Sequence, residues 1–466
     1  MKHGRSHKPA KNRRNATKRR RRQSEPLRLL HPNAAGIDVG SQKHWVAVPP
    51  DRDDQPVRSF GCLTKDLHAM GRWLKDCRIE TVAMESTGVY WIPIMQVLED
   101  YGLEVCLVDA RQARNLPGRK TDVKDCQWLA ELHTYGLLSR AFRPSAQICV
   151  LRSYWRHRKN LVEMAAMQIQ WMQKSLEQMN LQLHKVLSDI TGVTGLAIIR
   201  AIVAGQRDPL VLAEFKHRLV KSSTETIAEA LRGDWRAEHL FTLRQALELY
   251  DLYQEKIQAC DEQIEAYMAS LGAPEPSQES TPPATPTRRK NQAHFDLRSR
   301  LQELTGVDLT QIDGIDALTA QTIVTECGFD MSRFDSEKHF ASWLGLSPNH
   351  EITGGKVRKR CTRRVRNRAT VALRLAAQSL HHSKTALGAF FRRMRARHGA
   401  AKAITATARK LAVLIYRMFR YGMDYVDQGQ QAYEQQYQKQ RLNLLRKQAK
   451  QMGYAIVSLQ SGEVVS

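Results

Sequence analysis

Nine apolar residues (Val162, Ala165, Ile169, Met172, Leu176, Met179, Leu183, Val186 and Ile190) follow an unbroken three-four spacing over four heptads. So regular a stripe is buried only by another helix laid along it. A second seam of the same kind runs through Leu243, Ala246, Tyr250, Tyr253, Ile257, Cys260, Ile264, Tyr267 and Leu271. Two such seams in one chain predict long antiparallel coiled-coil helices within residues 150–271. Periodicity leaves open whether the hairpin pairs protomers or forms the core of an ordinary helical bundle.

The period is different on either side. Residues 34–145 alternate strand and helix signals: Gly36-Ile37-Asp38-Val39-Gly40, Trp45–Val48, Thr81–Glu85 and Glu104–Asp109 are short β-rich runs, with helical stretches at 64–77 and 91–101. That pattern is an α/β layered domain. Residues 272–294 hold five prolines among Gly, Ser, Thr, Gln and Glu, too little apolar surface to fold, and are expected to be a linker. A mainly α-helical domain is expected at 300–425, followed by a Gln- and Lys-rich tail at 426–466 that starts helical and frays.

Charge narrows the function. The 466 residues carry 72 Lys and Arg against 47 Asp and Glu, a net +25, which points to a polyanion, most often nucleic acid. Residues 1–22 hold eleven of those cations and no acid, ending in Arg19, Arg20, Arg21 and Arg22; residues 1–28 read as a disordered basic arm that grips phosphates. The eight cysteines form no CxxC pair, which suits a reducing cytoplasm and excludes a zinc ribbon. No apolar run approaches the ~20 residues of a membrane span. The expected location is therefore the cytoplasm, in association with the nucleoid, with no membrane partner.

Two groups of residues carry candidate chemistry. Asp38 lies in a strand, Glu85 ends another, and Asp122 and Asp125 open a helix with an i, i+3 spacing that shares one face. Gathered carboxylates repel unless a cation sits between them, and hard oxygen donors select Mg²⁺ or Mn²⁺. Two such ions can stabilise the attacking and departing oxygens in phosphodiester chemistry. Asp109 is a rival ligand, with Arg111 and Arg114 close by to neutralise it. Singly, Asp122 also reads as a helix cap and Asp125 as a solvated side chain.

The second group is Gly345–Lys356, followed by a run in which eight of the thirteen residues from Lys356 to Arg368 are basic, including Lys356, Arg358, Lys359, Arg360, Arg363 and Arg364. A hydroxyl beside two glycines, backed by this charge, can attack a phosphate, or the whole segment can be a DNA-gripping loop. Between the two groups, Gln311–Ile323 reads as helix, Gly-containing hairpin, helix, whose N-terminus suits a phosphate as well as a plain packing turn.

Together these segments resemble the DEDD insertion-sequence transposases, the bridge-RNA-guided recombinases. The likeness rests on Gly36–Gly40 with Lys43, Met84-Glu85-Ser86-Thr87-Gly88-Val89-Tyr90, Lys120–Asp125, Gly314-Ile315, Leu344–Pro348 and Thr353-Gly354-Gly355-Lys356. It implies a RuvC-like domain of ribonuclease H fold, a coiled coil used in assembly and a C-terminal transposase domain. It also implies an acidic tetrad at Asp38, Glu85, Asp122 and Asp125 and a hydroxyl nucleophile. Members use a serine at the position held here by Thr353, which keeps the oxygen but adds a rotamer-restricting methyl; Ser347 is the nearest other hydroxyl. The implied partners are donor and target DNA, a guide RNA and further copies of the chain, as dimer or tetramer.

Two other readings compete. Asp38-Val39-Gly40-Ser41 is similar to the first phosphate loop of sugar kinases, but a second such loop and a glycine-rich adenosine site are missing from the sequence. A catalytically silent or nuclease-only relative, akin to Holliday-junction resolvases, would keep the nucleic-acid contacts without strand transfer.

Overall fold

A computed structural model of the chain describes residues 28–86, 88–109, 121–271, 291–359, 361–365, 367–422, 425 and 427–457. The basic arm with Arg19 to Arg22, most of the expected linker, Arg111, Arg114 and Arg360 lie outside the described residues. The chain divides into two compact units between Arg143 and Pro144.

The first unit is built on a five-stranded sheet of order β3-β2-β1-β4-β5: β1 Ala34–Val39, β2 Lys43–Ala47, β3 Val57–Gly61, β4 Thr81–Glu85 and β5 Glu104–Val108. The first three strands are antiparallel neighbours, whereas β4 and β5 run parallel to β1. One face carries Ile37, Val82, Met84, Val105 and Leu107 into a core closed by α1 (Thr64–Asp76) and α2 (Trp91–Asp100). These helices bury Leu67, Met70 and Leu74, and Ile94 and Leu98, at three- and four-residue spacings. The opposite face receives α3 (Asp122–Thr134), whose Leu129 packs with Cys106 and Val108. α3 comes so close to β1 that a Cβ on Gly36 would stand 2.3 Å from both the Ala130 amide nitrogen and the Cys126 carbonyl oxygen. Only glycine permits that approach. This mixed α/β unit is compatible with a RuvC-like fold.

The second unit begins with α4 (Ala146–Gln178), continues through α5 (Val193–Val203) and shorter helices, and returns along α6 (Ala237–Ser270). α4 and α6 run antiparallel: Tyr267 donates to the Gln147 carbonyl near one end, and Ser175 bonds Thr242 near the other. The first seam does not extend to Ile190. Asn180, at φ +55, terminates α4, and Leu183, Val186 and Ile190 pass into the intervening segment. The Gln182 amide bonds the Ala230 carbonyl and the Asp234 amide bonds the Met179 carbonyl, so tertiary hydrogen bonds interrupt the long helix ahead of a single helical turn at Leu183–Val186. The helix instead begins earlier than the seam and buries Ile148, Leu151, Trp155 and Arg158.

The last stretch of the expected linker is also packed. Arg158 donates to the Asn291 carbonyl at 3.2 Å, and both the His294 ring and its amide bond Asp261. Beyond it come α7 (Leu297–Thr305), α8 (Ala317–Cys327), α9 (Glu337–Trp343), an exposed hairpin of β6 (Glu351–Thr353) and β7 (Lys356–Lys359), then α10 (Arg368–Ser379), α11 (Ala386–His398), α12 (Ala400–Tyr421) and α13 (Gly429–Gln451). Among the described residues, no helix is long and apolar enough to cross a membrane.

Candidate functional site

The C-terminal ends of β1 and β4 set the first site. Ile37 is paired with Met84, so one residue further on Asp38 and Glu85 stand side by side in adjacent parallel strands. Alternation puts them on the face that holds Gly36 and Ala83, the face covered by α3. In an open sheet, this carboxyl edge is where ligands bind.

Thr121 caps α3 by accepting from the Lys124 amide, which leaves Asp122 exposed at the first helical position and Asp125, one turn on, half-buried beside the sheet. Between them and β1 lies Cys126, fully buried, its thiol donating to the Val123 carbonyl. Burial pushes the Cys126 thiol up to about 12, and the nearby charges of Asp38 and Asp125 add to the effect. Asp38 and Asp125 are therefore both near enough to this thiol for their charge to act on it. Glu85 is one strand away, and Asp122 is on the solvent side of the helix. Asp109, the rival ligand, is exposed just past β5, a further strand out. Among the described residues, no three His, Cys, Asp or Glu side chains are gathered tightly enough to hold a metal ion.

Thr353 is the last residue of β6, directly before a two-residue turn in which Gly354 and Gly355 both have positive φ, +56 and +76. No atom crowds either glycine, so the tight hairpin turn itself demands them. All of β6 and β7 is exposed, with Lys356 and Arg358 just beyond the turn and Lys359 paired across the ribbon to Glu351 at 3.5 Å. Arg363 and Arg364 are exposed further along, Arg363 donating to the Trp343 carbonyl. Ser347 is half-buried at the base of the ribbon, next to the bridge between Pro348 and Thr362.

The Gly314 hairpin takes a packing role. Asp316 already caps α8 by accepting from the Thr319 amide at 2.9 Å, and a Cβ on Gly314 would lie 2.8 Å from the Ala376 carbonyl oxygen on α10. Ile312 and Ile315, on either side of the turn, are buried.

Sequence reasoning missed Cys126 and the Arg158–Asp261 pair. Continuing the first seam upstream by the same spacing reaches Arg158 and then Trp155, and a cation at a seam position is a signal for a buried partner.

Residues 35–181 match the family model of the DEDD transposases of the IS110 type, described as "Transposase". Residues 308–392 match a second one, described as "Transposase IS116/IS110/IS902 family". A search of the curated proteins returns no match.

Proposed function

The chain is an IS110-family DEDD transposase, an enzyme that recombines DNA, and on that premise we propose how its own residues divide the work. Asp38, Glu85, Asp122 and Asp125 hold the divalent ion on which the family depends in general. The observation that carries this reading is the strand register, which sets Asp38 and Glu85 side by side at the ends of β1 and β4, on the face that α3, the helix bearing Asp122 and Asp125, covers. Their donor chemistry fits a hard cation such as Mg²⁺ or Mn²⁺, which supplies charge neutralisation at the scissile phosphate when bound. Asp125 is carried by the helix that Gly36 admits, so the close packing of α3 on β1 sets its spacing from Asp38.

The Thr353 hydroxyl is the nucleophile. Its oxygen bonds to phosphorus, the bridging oxygen of the cut strand leaves with the electron pair, and the product is a phosphothreonine ester. Lys356 and Arg358, exposed beside the turn, offset the charge that builds up on the phosphate. The hydroxyl proton needs a base, and the reading assigns that task to the carboxylate site of a partner protomer. A two-stranded ribbon exposed on both faces is only marginally stable alone. This suits an element that becomes ordered against DNA.

The basic arm together with Lys356, Arg358, Lys359, Arg360, Arg363 and Arg364 grips phosphates, of DNA and of a guide RNA, without sequence preference. Met164, Met167 and Trp171 on α4 and Leu249 and Leu252 on α6 are all exposed, within the stretch bracketed by the Arg158–Asp261 and Ser175–Thr242 contacts. We assign this apolar stretch of the helical pair to assembly with a second copy, in the manner of a coiled coil.

Nicking of a supercoiled plasmid by the purified protein with its RNA, with and without divalent metal, tests the reading. Metal-dependent nicking with a covalent protein–DNA end supports it; binding without nicking would leave a silent relative.

A further inference from the structure

The Glu85 motif runs on into Val89 and Tyr90, and neither strand cutting nor metal binding uses them. Ser86 is tied back to β5 by its amide and its hydroxyl, each 3.0 Å from the Val108 carbonyl oxygen. Trp91 packs against the core and donates its indole N–H to the Gly88 carbonyl at 3.2 Å, while the Ile92 amide bonds the Val89 carbonyl at 3.1 Å. The start of α2 is thus fixed to the core by Trp91. Its neighbours nevertheless point outward: Val89 is 66% exposed, Tyr90 46% and Ile92 38%.

This apolar knob directly follows the strand end that carries Glu85. Two exposed cations belong to the same carboxyl edge, Lys43 at the start of β2 and Lys124 beside Asp125. An exposed aromatic ring at a sheet edge that also bears lysines suits single-stranded nucleic acid: the ring stacks on a base while the cations follow the phosphates. The backbone on either side of Tyr90 is fixed by these hydrogen bonds, so only the side chain's own rotamers are lost when the ring stacks, which favours affinity.

We infer that Tyr90 is a stacking platform for one unpaired base of the DNA strand at the carboxylate site. It holds the strand open next to the phosphate to be cut and is a positioning residue for that strand. The inference rests on the proposed carboxylate site, and continuity with that site selects a DNA base over a protein surface as the occupant.

The test uses the full-length protein and a mixed-sequence oligodeoxynucleotide carrying 2-aminopurine, offered single-stranded and fully paired. Stacking on Tyr90 quenches the probe. Wild type and Tyr90→Phe should quench it and bind the single strand equally. Tyr90→Leu, which keeps the bulk but loses the π face, should abolish quenching and weaken single-strand binding about tenfold, with duplex binding unchanged. Equal behaviour of Tyr90→Leu and wild type, or equal losses on single strand and duplex, overturns the inference. So does a change in sedimentation of Tyr90→Leu without a change in binding, which would give the knob to a second copy. Asp38→Asn separates the two readings. It should still quench, and if it also still cuts, the carboxylate reading falls while the platform stands; loss of quenching in wild type that cuts normally does the reverse.

Discussion

Arg158 and Asp261 form a two-point ion pair inside the α4–α6 hairpin, with side chains 4% and 0% exposed. The Asn291 carbonyl and His294 complete the shell, so the pair fixes the register of the two helices and anchors the return from the linker. Removing one partner strands a buried charge. Arg158→Ala or Asp261→Ala should each cost about 3–5 kcal/mol in chemical denaturation, while the double change Arg158→Met with Asp261→Leu should recover most of it.

Asparagine at the aspartates of the tetrad keeps shape and removes charge. Asp38→Asn and Asp125→Asn should abolish plasmid nicking and leave filter-binding affinity for DNA within a few-fold of wild type. Full nicking by Asp125→Asn would rule out a four-ligand site.

Thr353→Ser should match or exceed wild-type cleavage, because it restores free rotation to the same oxygen. Thr353→Val, nearly isosteric, should form no covalent protein–DNA adduct on a denaturing gel. An adduct that survives in Thr353→Val and disappears in Ser347→Ala would move the nucleophile to the base of the ribbon.

Gly36→Ala tests the contact that carries Asp125. The added methyl meets backbone atoms of α3 rather than a movable side chain. A loss of about 1–3 kcal/mol in stability is expected, together with loss of nicking greater than the destabilisation explains.

His133 gives the protein an acid-sensitive joint. Its ring is buried at the end of α3, bonded to the Thr81 hydroxyl at 2.9 Å and stacked on His31 at 4.8 Å. Burial, with the His31 charge adding to it, pulls its pKa down from 6.5 to about 4. The unfolded chain therefore takes up this proton first as pH falls. The neutral ring's contribution is complete above about pH 6.5 and is lost progressively down to about pH 4. The stability difference between wild type and His133→Leu should shift against wild type across that window, by up to about 3 kcal/mol, and stay level above pH 7.

The α/β character of the first unit was legible because its central strands are nearly pure apolar runs and its helices have one apolar face. β3 was not: Val57-Arg58-Ser59-Phe60-Gly61 is a half-exposed edge strand, and its pairing with β2 supplies the order that its own residues lack. The seams showed that two long helices exist. Where the first ends was decided at Asn180, by hydrogen bonds to residues some fifty positions away that no local period encodes.

The acidic residues and Thr353 could be nominated as candidates because chemistry restricts which side chains can do such work, and residue types are what a sequence records. Distances between them are not recorded. Asp38 and Glu85 stand side by side because β1 and β4 pair in parallel, a missing Cβ at Gly36 admits the helix that bears Asp125 onto the same face, and the cation at Arg158 finds its carboxylate only when the hairpin closes. Local periodicity reflects the backbone's own geometry, which each stretch carries within itself. Register, close approach and the partners of buried charges belong to pairs of distant segments, and only the folded chain selects them.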